Sequence, residues 1–309
     1  MRRKLALMGI GKIARDQHIP ALAASPHFEL AACASRNAQV EGVANFPDLE
    51  TLLAQVPDVD CVSICTPPQA HFDAACAALR AGKHVMLEKP PAASTRQIAL
   101  LADEAARRGV TLFQTWHSRF AAAVDPAREW LRKRALAGGR ITWKEDVHHW
   151  HPGQRWIWEP GGFGVFDPGI NALSLLTEVL ANEVFVESAV LEFPENQQAP
   201  IAARVRLRTE SGEFVEAEFD FRQKGEQRWD IELQTAQGRL VLSQGGGGLE
   251  LDGRVVAADP GLAGEYPRLY ARFASLCAAG ASDVDWRPLQ LVADAFLIGE
   301  RRIVAPHHV

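Results

Sequence analysis

Glu88 and Lys89 stand at the end of a short apolar run, His84-Val85-Met86-Leu87, and two prolines, Pro90 and Pro91, follow them. A buried strand that ends this way delivers charged groups to the edge of a sheet. Pro90 fixes the chain direction and removes one backbone donor, so Lys89 is presented by stiff main chain. A lysine desolvated there would take a proton from a hydroxyl, and one that stayed charged would steady a developing alkoxide. Asp167 and Asn171 form a second pair, four residues apart at the start of a helical pattern and therefore on one face. Asn171 cannot titrate but can orient a hydroxyl, so Lys89 is the first candidate for the proton acceptor and Asp167 the alternative. Taken alone, Glu-Lys-Pro is the start of a solvated loop and the 167/171 pair a helix cap with a surface amide. The surrounding elements argue for more.

The elements that must position Lys89 alternate between strand and helix. Lys4 to Gly9 reads as a strand, followed at once by Gly-Ile-Gly-Lys-Ile-Ala and a helical stretch through Ala24. In that setting Gly9 suits a tight turn and Gly11 lets main chain approach a pyrophosphate. Lys12 and Ile13 stand at a helix start, whose amides favour anions. A second strand, Phe28 to Ala34, ends in Ser35-Arg36 rather than the acid that usually holds a ribose 2'-hydroxyl. A hydroxyl and a guanidinium there would accept a 2'-phosphate, so NADP is expected to bind and NAD is not excluded. A helix over Pro47 to Gln55, a strand over Val59 to Cys65 ending in Thr66-Pro67-Pro68, a helix over Gln69 to Ala81, a helix over Ser94 to Arg108 and a strand over Val110 to Gln114 complete the pattern. This is a doubly wound parallel sheet, in which Gly9, Ser35, Thr66 and Lys89 share the carboxyl edge where ligands bind.

Beyond about residue 120 the period changes. A helix over Val124 to Leu136 precedes alternating strands at Glu183 to Phe193, Ala202 to Thr209, Glu213 to Phe221 and Arg228 to Thr235; two late helices, Glu265 to Ala279 and Trp286 to Arg301, follow. The expectation is an α/β chain: a Rossmann domain over 1–120 for NAD(P), and over 121–309 an α+β domain with a large open, mostly antiparallel sheet for substrate binding and homodimer formation. Residues 143–158 hold four tryptophans and three histidines. Such a cluster can line a ligand site, with Trp150 and Trp229 as candidate apolar walls and Glu145, His117 and His151 as candidate hydrogen-bonding groups beside them.

Composition narrows the classes. With 309 residues, 47% hydrophobic and 23% charged, the chain suits two globular domains, and a net charge of -5 offers no basic face for nucleic acid. No stretch reaches the roughly 18 to 20 apolar residues of a membrane helix. The basic, apolar start lacks a small-residue cleavage site, and the five cysteines lack paired spacing, so a cytoplasmic protein with reduced thiols and no bound metal is expected.

The series G-x-G-x-x-A, Thr-Pro-Pro with His71 beyond it, Glu-Lys-Pro and GGFGVFDPGINAL resembles the glucose-fructose oxidoreductase, inositol dehydrogenase and rhizopine catabolism (Gfo/Idh/MocA) family across the whole chain. The longer segments WKEDVHHWHPGQRWIWEPGGFGVFDPGINALS and SDVDWRPLQLVADAFL are similar to those of its bacterial aldose 1-dehydrogenases acting on D-galactose or L-arabinose. The resemblance implies a nicotinamide cofactor and a sugar substrate, and adds Pro67, His71 and Glu88 to the cofactor-facing candidates. It departs from many members at Asn171, where they carry histidine. The implied activity is oxidation of the anomeric hydroxyl to an aldonolactone; the competing expectations are a sugar- or cofactor-sensing regulator on the same fold and a dehydrogenase for another cyclic polyol.

Overall fold

The computed structural model describes residues 2–258 and 264–308. The chain divides into two units. The first comprises residues 2–120 and, from late in the chain, 264–286; the second comprises 121–258 and 287–308. The break at 120/121 falls where the sequence period changes, but the segment 264–286, expected with the second domain, belongs to the first unit.

In the first unit six parallel strands, β1 (Arg3–Met8), β2 (Phe28–Ala34), β3 (Ala44–Phe46), β4 (Cys61–Ile64), β5 (His84–Leu87) and β6 (Leu112–Gln114), lie in the order β3-β2-β1-β4-β5-β6. The order reverses direction between β1 and β4, the topological switch point where doubly wound sheets bind ligands. Strands β4, β5 and β6 are buried almost throughout, as are Leu5–Leu7 of β1, as apolar runs covered on both faces must be; β2 is half-buried at its middle and β3 lies at an edge of the sheet. One face packs Leu5, Phe28, Cys61, Met86 and Phe113 against Tyr266, Leu269, Tyr270 and Phe273 of the helix Glu265–Ala279. That helix has the bounds expected of it, but the alternation of its apolar residues does not say which sheet they cover. Strand β3 escaped the sequence reading because three residues carry too little pattern.

The second unit holds nine strands: β7 (Leu136–Lys144), β8 (Val184–Pro194), β9 (Ala202–Thr209), β10 (Phe214–Asp220), β11 (Arg228–Thr235), β12 (Gly238–Ser243), β13 (Gly248–Leu251), β14 (Arg254–Ala258) and β15 (Glu300–Val304). Their order is β14-β13-β12-β11-β7-β10-β9-β8-β15, antiparallel except for the β7/β10 and β8/β15 pairs. The helices Phe166–Val179 and Arg287–Ile298 cover one face, with Phe166 beside Phe219 and Phe296. The other face is charged and exposed: Arg204, Arg206 and Arg208 alternate with buried residues along β9, and Arg206 pairs with Glu216 at 3.1 Å. The helix expected over Val124 to Leu136 stops at Leu131, and Leu136 opens β7. Gly138 and Gly139 had hidden that strand, being poor strand formers.

Candidate functional site

In the first unit the carboxyl ends of β1, β2 and β4 are knitted together. Gly9 N–H donates to Ala34 O at 2.9 Å, Cys65 N–H to Met8 O at 2.8 Å and Ser35 N–H to Phe46 O at 2.9 Å. Gly9 has φ of 87°, and a Cβ there would stand 2.9 Å from both Cγ2 and N of Thr66, so no side chain fits between the two loops. At Gly11 nothing lies within 4 Å of the equivalent position, which leaves main chain open to a bulky group. Thr66 Oγ1 is buried without a hydrogen-bond partner. A close-packed glycine turn, an open one beside it, a helix start and an orphaned hydroxyl fit a dinucleotide pyrophosphate.

The other first-unit candidates divide. Arg36 is exposed and Ser35 half-buried at the end of β2. The Lys12 ammonium pairs with Asp16 one turn along, and Ile13 packs into the core. His71 is fully buried, with Nε2 2.6 Å from Thr66 O and Nδ1 3.2 Å from Pro91 O. Burial pushes its pKa down, against those carbonyls; the ring lies between the Thr66-Pro67-Pro68 loop and the Pro90-Pro91 loop, and its closer bond is the one to Thr66 O.

Lys89 is half-buried and the Lys89–Pro90 peptide is cis. Behind it Glu88 is buried and its carboxylate is occupied within the protein. Oε2 accepts from Lys89 N–H at 2.9 Å; Oε1 accepts from Tyr266 Oη–H at 2.9 Å and stands 3.0 Å from His18 Nε2. Burial pushes the Glu88 carboxyl up, but the hydrogen bond and charge of His18, the charge of His117 and the Tyr266 hydroxyl outweigh it and hold it at about 2. The side chains of His71 and Glu88, both expected to face the cofactor, are thus buried within the protein, and that of Ile13, also expected there, is half-buried against the core. His117 also belongs to this unit. It is buried, stacked on Tyr266, with Nδ1 2.6 Å from Glu265 Oε2.

In the second unit one group of candidates converges. Glu145, buried just beyond β7, lies 2.7 Å through Oε1 from His151 Nε2, and its Oε2 accepts from Trp229 Nε1–H at 2.8 Å. His151 Nδ1 faces Asp167 Oδ2 at 3.7 Å. Asp167 sits buried in the first turn of Phe166–Val179, with Asn171 one turn on and Asn171 Oδ1 buried without a hydrogen-bond partner. The helix is entered through Gly164, where φ is 53° and a Cβ would collide with Pro200 O at 2.3 Å. Trp150 is 38% exposed and meets Trp229 edge to face at 5.1 Å. This gives a row of carboxylate, imidazole and carboxylate beside an indole wall. His148 and His149 are exposed, and among the described residues no group of three or more metal-type ligands occurs.

Residues 3–115 match the family described as an oxidoreductase family with an NAD-binding Rossmann fold, Gfo/Idh/MocA. The galactose 1-dehydrogenase of Pseudomonas fluorescens is 46% identical over 96% of this chain and 96% of its own. The chain belongs to the Gfo/Idh/MocA oxidoreductase family. Among solved structures of similar proteins, the D-galactose-1-dehydrogenase from Rhizobium etli matches with a TM-score of 0.94 and 51% identity, covering 99% of this chain and 98% of that one. A 3-ketoreductase from Actinomadura kijaniata, solved with NADP, shares the fold at a TM-score of 0.81 and 20% identity, over 98% of this chain and 100% of its own. Family membership also accounts for the two kinds of sheet, one parallel and one largely antiparallel.

What sequence reasoning missed is the buried polar layer beneath Lys89: His18, Tyr266, Tyr270 and Glu265. One signal was available for His18. It shares a helical spacing with Ala14, Ala21 and Leu22, all buried, which puts an imidazole on an apolar face.

Proposed function

We propose that the protein is an NAD(P)-dependent aldose 1-dehydrogenase, oxidising the C1 hydroxyl of D-galactose, and of L-arabinose, to the aldonolactone. The observation that carries the reading is the indole wall of Trp150 and Trp229 set beside the Glu145–His151–Asp167 row, a surface with both the apolar and the hydrogen-bonding character of a pyranose. The choice of galactose rests on the two galactose 1-dehydrogenases that match the whole chain. L-Arabinose as a pyranose repeats the hydroxyl arrangement at C2, C3 and C4 and lacks only the C6 hydroxymethyl. Discrimination between them would amount to about 1 to 3 kcal/mol.

Gly9, Gly11, the helix start at Lys12 and Ile13, and Thr66-Pro67 would hold the pyrophosphate, and Ser35 and Arg36 the adenosine ribose with or without its 2'-phosphate. When bound, the nicotinamide supplies the acceptor for the hydride that leaves C1. The protein's own work is orientation and proton transfer. Asp167 takes the C1 hydroxyl proton, and His151 with Glu145 behind it gives that proton a route onward. Lys89 as ammonium steadies the oxygen as charge develops on it. Asn171 and His117 fix neighbouring hydroxyls, and Trp150 covers the sugar's C–H face. His71 and Glu88 act on the cofactor site through the loops they brace. We further propose that the charged face of the nine-stranded sheet pairs two copies, which light scattering at the mass of a single chain would refute.

The test is formation of reduced cofactor at 340 nm with D-galactose and L-arabinose, using NADP and NAD in turn. Turnover of both sugars with lactone as product supports the reading. Nucleotide binding with no turnover would indicate a sensor, and turnover of an inositol in preference to either sugar would move the substrate.

A further inference from the structure

His18, among the first-unit residues so far given no role, is a titratable side chain with no exposed surface. It closes the segment Ala14–His18, where the helix after the glycine turn widens to π-type hydrogen bonding before continuing as Ile19–Ala23. Such a widening turns one side chain out of the ordinary register and is frequent at functional sites. Here that side chain is an imidazole between two partners. Nε2 is 3.0 Å from Glu88 Oε1 and Nδ1 is 2.7 Å from Tyr270 Oη. Tyr266 and Tyr270 meet the ring edge to face at 4.9 and 5.8 Å, so it has little freedom to tilt. With Nε2–H donated to Glu88, the Tyr270 hydroxyl donates to Nδ1; an imidazolium would instead donate at both nitrogens. In either form Glu88 Oε1 receives a proton donor, which leaves Oε2 to accept the Lys89 N–H at 2.9 Å.

We infer that His18 is a positioning residue for Lys89: acting through Glu88, it fixes the main chain from which the ammonium is presented and ties it to the helix that follows the glycine turn. The inference rests on the role proposed for Lys89 at the reacting oxygen. Three features support it. Glu88 has no hydrogen-bonding capacity left over for a ligand at Oε1, where both His18 and Tyr266 converge. The carboxylate bonds the amide of Lys89 itself rather than that of a more distant residue. Removing the His18 donor would leave a buried carboxylate with one partner fewer, and such a group moves toward another donor or takes up a proton. Either response weakens the hold of Glu88 on the Lys89 amide.

Two variants separate position from packing. His18→Phe keeps a ring of similar size and removes the donor; His18→Gln keeps an N–H that can reach Glu88. In the full chain with cofactor and sugar, His18→Phe is expected to lower kcat by about 10- to 100-fold, the scale of a sub-ångström to 1 Å misplacement, with KM for sugar changed less than about 3-fold. His18→Gln is expected to recover most of the loss. In a Lys89→Ala background His18→Phe should cost less than about 2-fold more, because residues acting as one unit are not additive. A second readout needs no substrate: the rate at which acetic anhydride labels Lys89, measured by mass spectrometry against the other lysines. His18→Phe should change that rate by at least about 3-fold for Lys89 alone, and His18→Gln by less. Equal Lys89 labelling in all three folded proteins, or fully additive losses with Lys89→Ala, would overturn the inference. If wild type turns over neither sugar while labelling responds as expected, the substrate reading fails and the positioning role stands.

Discussion

The two units build their candidate sites in different ways. In the first, the groups set out for the ligand are mostly main chain, a glycine turn, a helix start and the ends of parallel strands, and the side chains beneath them are braces. In the second, the groups are side chains drawn from four separate places, 145, 151, 167 and 229, onto one short row. A main-chain site tolerates most side-chain changes and fails where a glycine or a brace is lost. A side-chain site loses one function with each residue removed.

The sharpest test of that contrast is Asp167→Asn, which keeps shape and removes the proton acceptor. We expect kcat to fall by about 10²- to 10⁴-fold with nucleotide affinity unchanged, as steady-state kinetics and fluorescence titration of cofactor would show. Lys89→Ala is the one first-unit side chain expected to approach this, with a loss of about 10²- to 10³-fold in kcat. If Lys89→Ala costs far more than Asp167→Asn, the proton goes to the lysine and the division of labour proposed above reverses.

Next in size is a stability effect in the braces. The Glu88 carboxyl is held at about 2 in the folded protein, below its ordinary 4.5, so its contribution is complete above pH 4.5 and is lost as pH falls toward 2. The full difference is about 3 kcal/mol. Glu88→Gln should be less stable at pH 7 and should lose less than wild type between pH 5 and 3, measured by urea unfolding. A parallel slope for the two proteins would mean that Glu88 is not the buried carboxylate the geometry describes.

Smaller effects sharpen the substrate side. Trp150→Ala, at a partly exposed indole, should raise KM for sugar by about 10-fold and change kcat by less than 3-fold, with little loss of stability. Arg36→Ala should weaken NADP by about 10-fold relative to NAD if the guanidinium meets a 2'-phosphate. Equal weakening of both would place the arginine elsewhere on the nucleotide.

The same contrast explains what the sequence made legible. The parallel sheet and its glycine turn announce themselves locally: Gly9 and Gly11 follow a strand and open a helix, and Lys89 follows another strand before two prolines. The row in the second unit was named residue by residue, but its connections were not, because the Glu145–Trp229 bond depends on the β7/β11 register and the Glu145–His151 bond on the short helix Val147–Trp150 between them. The destination of Glu265–Ala279 was hidden for a similar reason. Its apolar face is plain in the spacing of Tyr266, Leu269, Tyr270 and Phe273, while the sheet it covers lies some two hundred residues earlier. His117 was named by residue type, but its partners Glu265 and Tyr266 were not, because they lie about 150 residues later in the chain.

One measurement bears most directly on the account: turnover of D-galactose carrying deuterium at C1, with the reduced cofactor and the sugar product analysed by mass spectrometry and NMR. Oxidation at the anomeric carbon predicts deuterium in the reduced cofactor and an unlabelled 1,5-lactone or its hydrolysis product. Reduced cofactor without deuterium, alongside a sugar product that keeps its C1 label, would place the oxidation at another hydroxyl and contradict the assignment.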